Sequence, residues 1–166
     1  MAKNDSIAFA PQLYIKHGIR DISFYSKAFG AVEKYRFTNN DDSIHVAELS
    51  INGTIFHLHE EVLKAGEFNP AKYNGTTVTI GLFVPDVDAV MEKAVAAGAT
   101  VIHPAQDYDY GYRQGEFKDP FGHYWLIEKK SKAVFKTSYS ILKTRSFPLL
   151  LFSFTVGSAV RERICT

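Results

Sequence analysis

Asp119-Pro120-Phe121-Gly122-His123-Tyr124-Trp125-Leu126-Ile127-Glu128 is the stretch that decides the fold. Asp-Pro-x-Gly is turn chemistry: Pro120 presets φ near −65° and Gly122 tolerates positive φ. Beyond the turn, side chains alternate. Trp125 and Ile127 point one way, while Tyr124, Leu126 and Glu128 point the other. A strand with one oily and one mixed face lies between a core and something wet. The same plan occurs earlier: Asn52-Gly53 turns into Thr54-Ile55-Phe56-His57-Leu58-His59-Glu60. Phe56 and Leu58 are on its oily face, His57 and His59 on the other.

Working outward, Pro11 to Lys16 reads as a strand, with Leu13 and Ile15 on one face and Gln12 and Tyr14 on the other. The stripe Ile22, Tyr25, Phe29 predicts a helix over 18–29, stopped by Gly30. Strands follow at 32–38, 44–51 and 54–60, the last two joined by Asn52-Gly53, a type I′ hairpin signal. Residues 61–75 have no clean period and read as a linker with a helical turn. The plan then restarts. A strand is predicted over 77–84, and a helix opens at the N-cap Asp86 and ends at Gly98. Its stripe is Val87, Val90, Met91, Ala94 and Val95. Further strands are predicted over 100–103, ending before Pro104, over 110–118 and over 123–129.

The halves repeat. Leu13 to Gly30 is 17 steps and Leu82 to Gly98 is 16; Gly30 to Gly53 is 23 and Gly98 to Gly122 is 24. Leu13-Tyr14-Ile15 matches Leu82-Phe83-Val84, and Phe29-Gly30-Ala31 matches Ala97-Gly98-Ala99. The expected fold is α+β: two tandem βαβββ modules, about 7–61 and 77–130, with a linker at 62–76. Each module has a helix on one sheet face only. Joined edge to edge in a curved mixed sheet, the other faces form a central trough.

Composition bounds the function. Hydrophobic residues at 46% and aromatics at 14% supply one packed domain. A net charge of +1 gives no field for nucleic acid or a membrane, and neither is expected as a partner. The charge is unevenly spread: residues 131–166 carry six Lys/Arg and one Glu, so residues 1–130 carry −4. The single cysteine, Cys165, excludes an intrachain disulfide and suits a reducing compartment. With no apolar signal at Met1 to Ser6, the expected location is the cytoplasm. The 131–166 extension mixes basic residues with the oily run Phe147 to Phe152. It reads either as a cover for a neighbouring surface or as a non-native, disordered extension from readthrough or frameshift; the abrupt change in composition favours the second.

Doubled βαβββ ending in Asp-Pro-x-Gly resembles the vicinal oxygen chelate superfamily, which includes glyoxalase I, extradiol dioxygenases, and fosfomycin- and bleomycin-resistance proteins. Ala10-Pro11-Gln12-Leu13-Tyr14-Ile15 and Phe24-Tyr25-Ser26-Lys27-Ala28-Phe29-Gly30-Ala31 resemble the opening of its PhnB-like branch. Tyr110-Gly111-Tyr112-Arg113-Gln114-Gly115 and 119–125 resemble its closing signature. The resemblance covers about residues 7–130. It implies a homodimer and four metal-ligand positions, which fall here on Ala10, His57, Thr79 and Leu126. A divalent site generally needs three or more protein donors. On the family pattern this chain has lost the metal, and no cofactor is expected.

His57 and His59 share a strand face that the mapping turns into the trough. They are candidates for ligand binding and for acid–base work, since imidazole titrates near neutrality. With Glu128 or Glu60 they are also the candidates for a displaced Zn, Ni or Fe site. Gln12, Tyr14, Phe83, Tyr124 and Glu128 fall on the trough by parity, where aromatic walls suit a flat or apolar ligand. The Tyr108, Tyr110, Tyr112 and Arg113 cluster reads as a pocket rim or dimer contact, or as an exposed hairpin with an internal ion pair. His123 follows a turn and reads as structural; His45 and His103 carry no motif. The leading expectation is metal-free binding of a small aromatic or apolar molecule. The alternatives are a lyase, isomerase or dioxygenase of this superfamily, metal-dependent or acid–base, and a non-catalytic interaction module whose trough is filled by its own side chains. The residues leave catalysis open.

Overall fold

The structure, a computed structural model, describes residues 7–73 and 75–131. The first module runs β1 (Gln12–Ile15), α1 (Ser23–Phe29), β2 (Val32–Thr38), β3 (Ile44–Ile51) and β4 (Thr54–Glu60). The second runs β5 (Thr79–Phe83), α2 (Val87–Ala96), β6 (Thr100–Tyr108), β7 (Tyr112–Lys118) and β8 (Tyr124–Lys130). The linker holds two 3₁₀ turns, Leu63–Ala65 and Pro70–Tyr73. The strands form two four-stranded mixed sheets, ordered β1-β4-β3-β2 and β5-β8-β7-β6. In each, the first strand pairs parallel with the last, and the remaining pairs are antiparallel. The doubled βαβββ plan is therefore what the chain builds. Apart from Ser131, the expectations for the 131–166 extension lie outside the described residues.

Two element boundaries differ from the sequence reading by more than two residues. The first helix begins at Ser23, not Gly18. Gly18 has φ +87°, and the Ile19 carbonyl accepts from the Ile44 amide at 2.7 Å, so the segment ahead of the helix is committed to β3. The Asp21 carboxylate then accepts from the Ser23 amide, 2.8 Å away, and turns the chain into α1. The second difference is β6, which continues through Pro104 to Tyr108. Proline lacks the N–H of a ladder, but β6 is an edge strand, and its register shifts on either side of His103. Edges and bulges are where sheets accept proline.

The oily faces predicted from parity are the buried ones. Leu13, Ile15, Phe56, Leu58, Phe117, Trp125 and Ile127 join one core with Phe24, Tyr25 and Ala28 of α1 and with Val87, Met91 and Ala94 of α2. The first helix packs beyond its own module. Phe24 meets Phe117 at 6.1 Å between ring centroids, and Phe29 meets Trp125 at 4.7 Å. Tyr25 stacks on Phe121 at 5.6 Å and meets Phe56 edge-on at 5.3 Å. Gly115 lets α2 come close: a Cβ there would sit 2.9 Å from the Met91 sulfur. Among the described residues, no helix is long and apolar enough to cross a membrane.

Candidate functional site

The deciding turn is closed by a buried carboxylate. Asp119 is 3% exposed. Its Oδ1 accepts from the backbone amides of Phe121 and His123, both at 2.9 Å. Its Oδ2 accepts from Tyr25 Oη at 2.9 Å and Trp125 Nε1 at 3.0 Å. A carboxylate has about four acceptor positions, and here four donors fill them. Tyr25 comes from the first module, so this one group ties the two modules together. Burial, and then the adjacent Asp119 charge, push the Tyr25 hydroxyl well above its ordinary pKa. Gly122, at φ +100°, lies so close to the linker that a Cβ would meet the Ala71 amide nitrogen at 2.7 Å.

Beside this turn is a cleft of about 870 Å³, within the range of small-molecule sites. One wall is β1 with its preceding residues, including Ala10, Gln12 and Tyr14; the facing wall is β5 with Thr76–Val78 ahead of it, including Thr79, Gly81 and Phe83. Ile51, Phe56, Phe68 and Trp125 contribute apolar surface, and His123 is also in the lining. Among the described residues, no Asp, Glu, Lys or Arg lines the cleft. Its polar groups are four threonines (Thr54, Thr76, Thr77, Thr79), Gln12, Asn52, the Tyr14 hydroxyl and the His123 ring.

The structure divides the candidate residues. Gln12, Tyr14 and Phe83 line the cleft; His57, His59, Tyr112, Arg113, Tyr124 and Glu128 do not. Gln12 Nε2 donates to the Tyr14 hydroxyl at 2.9 Å. Burial, followed by a hydrogen bond to Glu67, raises the Tyr14 pKa. His57 lies beside Gln12 on one side and Glu48 on the other, in the ladders of β4 with β1 and β3. Its Nε2 stands 3.2 Å from Glu48 Oε2, with the imidazole 27% exposed. This carboxylate partner was missing from the sequence reading. His59 lies in the next row, between Tyr14 and Val46. Burial first, then the charges of His57 and His45, hold its imidazole below its ordinary pKa.

In the second module, the Glu128 carboxylate accepts from Gln114 Nε2 at 2.8 Å. Tyr124 pairs with Thr79 and Lys118, and Tyr112 lies 6.3 Å from Phe83 between centroids. Arg113 forks onto Asp88 of α2 at 2.6 and 2.7 Å and reaches Asp107 at 3.2 Å. Those carboxylates raise its already high pKa. Arg113 is thus the cation of an ion pair. Glu60, the other displaced-site candidate, faces His17, His45 and Asn39 rather than His57 or His59.

The four metal positions that the resemblance implies are poor in donors. Ala10 and Leu126 carry no donor, Thr79 is a poor one, and His57 already faces Glu48. Among the described residues, no three His, Cys, Asp or Glu side chains gather as a metal-binding group. The side chains at these positions do not fit a divalent ion.

Comparison with known proteins agrees with this fold. Residues 11–127, more than half of the chain, match the model of the Glyoxalase/Bleomycin resistance protein/Dioxygenase superfamily. The chain belongs to that superfamily. An uncharacterized protein of Mycobacterium tuberculosis is 39% identical over 137 residues, covering 81% of this chain and 81% of the relative. An uncharacterized Arabidopsis thaliana protein, At5g48480, is 32% identical over 121 residues, covering 68% of this chain and 72% of its own length. The crystal structure of the At5g48480 product aligns with a TM-score of 0.59 at 28% identity, covering 75% of this chain and 99% of that one. The fosfomycin resistance protein FosX of Listeria monocytogenes aligns with a TM-score of 0.55 at 19% identity, covering 74% and 92%. At that identity the likeness is one of fold.

Proposed function

We propose that this protein binds a small, uncharged, largely apolar or aromatic molecule in the cleft between β1 and β5, without a metal ion. The observation that carries this reading is the lining: a cleft of ligand size with aromatic walls and, among the described residues, no Asp, Glu, Lys or Arg. A carboxylate or phosphate buried there would lose its hydration and find no Lys or Arg among the described lining residues to offset it. An apolar ring loses nothing of the kind, and each Å² of apolar surface removed from water contributes about 25 cal/mol. The metal-free part rests on the residues at Ala10, Thr79 and Leu126, which leave His57 without companions. The protein acts in the cytoplasm as a homodimer, the assembly common in this superfamily. Exposed Tyr35 and Phe37, 5.7 Å apart between centroids, provide apolar surface for a second copy to cover.

Trp125 is the only tryptophan and lines the cleft, so its fluorescence reports occupancy. The expected result is saturable quenching by neutral aromatics such as naphthalene, unchanged by chelator and without stoichiometric Zn²⁺, Ni²⁺ or Fe²⁺ on the purified protein. Tight stoichiometric metal, lost together with ligand binding on chelation, would overturn this reading. A second reading, an acid–base enzyme, is favoured by one specific observation, the 3.2 Å His57–Glu48 pair. It predicts turnover that falls at least about 100-fold in His57→Gln, where the binding reading predicts none to lose.

A further inference from the structure

We propose that His123 is the polar recognition residue of the cleft and reads a hydroxyl or N–H on an otherwise apolar ligand. This rests on the cleft-binding reading above and names what that reading leaves open, the polar feature of the ligand. The carrying observation is an imidazole with nothing to bond to. His123 is 6% exposed and lines the cleft; both ring nitrogens are themselves buried, so a ligand group bonds Nε2 only by pressing into the wall, and neither nitrogen has a hydrogen-bond partner among the described residues. Buried polar atoms are almost always paired, and one left unmade costs as much as a lost hydrogen bond. Pro120 and Gly122, with the two amides held by Asp119, fix the backbone at this position, so the ring is held in the wall by its own turn.

The missing partner is a donor, because Asp119 sets the tautomer. His123 Nδ1 stands 3.4 Å from Asp119 Oδ2, without the alignment of a hydrogen bond. That oxygen already accepts from Tyr25 and Trp125. An ionised carboxylate at this distance favours the proton on the near nitrogen, which leaves Nε2 with a free lone pair. A ligand O–H or N–H satisfies that lone pair; an ether or carbonyl oxygen does not. The site therefore selects aromatic alcohols or N–H heterocycles over their methylated counterparts, because a buried acceptor left unpaired penalises the analogue that lacks the donor.

The test uses the full chain with three probes, 1-naphthol, naphthalene and 1-methoxynaphthalene, titrated by Trp125 fluorescence. The ring nitrogens of His123 are followed by ¹⁵N NMR, assigned among the six histidines by single replacements. The expected result is naphthol binding at least about tenfold tighter than the other two, the effect of one hydrogen bond, with a ¹⁵N shift at His123. In His123→Phe, naphthalene binding persists and the tenfold preference disappears. If that variant does not fold, the NMR result on the unaltered protein decides. Equal binding of all three probes with unmoved His123 signals overturns this inference and leaves cleft binding intact. No binding of any probe overturns the cleft reading and this inference with it.

Discussion

The two modules share a plan but divide the labour at one place, the turn into the last strand. In the first module that turn is the two-residue Asn52-Gly53 hairpin, with φ of +47° and +87°. It is compact and sends His57 and His59 to a face that no helix covers. In the second module the equivalent turn is Asp-Pro-Phe-Gly. It is built around a buried carboxylate, packs Trp125 into the core and puts His123 in the cleft wall. The position three residues before the glycine is Ser50 in one module and Asp119 in the other. Both repeats keep a His–Glu pair on the sheet, His57 with Glu48 and His103 with Glu116, but only the second also takes a carboxylate inside at its turn. Two copies of one supersecondary unit can thus hold a joint on one side and a polar face on the other.

The largest effect expected from breaking this comparison is at Asp119. Asp119→Ala strands the Tyr25 hydroxyl and the Trp125 indole N–H in the core, together with two turn amides. At about 1–3 kcal/mol for each of the four buried donors left unmade, a loss of at least about 4 kcal/mol is expected, measured by urea unfolding. Ser50→Ala, at the equivalent position, is expected to change stability by less than about 1 kcal/mol. Equal losses at the two positions would show that Asp119 is an ordinary turn residue. Tyr25→Phe removes only one of the four donors and is expected to cost about 1 kcal/mol.

The paired glycines sharpen the same contrast. Both have positive φ, so alanine is strained at either. At Gly53 a new Cβ meets nothing within 4 Å, and a loss of about 1 kcal/mol is expected. At Gly122 it would collide with the Ala71 backbone at 2.7 Å, so Gly122→Ala is expected to lose about 2–4 kcal/mol by the same unfolding measurement. A smaller loss at Gly122 than at Gly53 would mean that the linker gives way freely.

Much of this was legible in residue order. Period-two alternation around Trp125 and Phe56 identified the buried faces, and the near-equal spacings between glycines identified the repeat. The Asn52-Gly53 hairpin carried more than was read from it. A two-residue turn pairs Ile51 with Thr54, and counting outward puts Glu48 opposite His57. His123 was also half legible, since it shares parity with Trp125 and Ile127. What residue order does not encode is that the cleft opens on that side, because the gap depends on how β1 and β5 face one another across the module junction. The early start of β3 contacts at Ile19 and the passage of β6 through Pro104 were hidden for a related reason. Each depends on a neighbour, or on an edge with none, rather than on local propensity.

The smallest effect concerns the polar face that the first module kept. Burial holds the His59 imidazole below its ordinary pKa, with the nearby His57 and His45 charges acting in the same direction. The unfolded chain therefore binds a proton at His59 more readily than the folded one. Stability from this group is fully present above about pH 6.5, the unfolded value, and is lost as pH falls toward the lower folded value. Replacing His59 with Gln removes the titrating group, so unfolding free energies measured between pH 7.5 and pH 5 should fall less steeply in His59→Gln than in the parent. The second module has Glu128 at the equivalent position, bonded to Gln114. A parent slope matched by His59→Gln would show that protonation of His59 is no harder in the folded protein than in the unfolded chain.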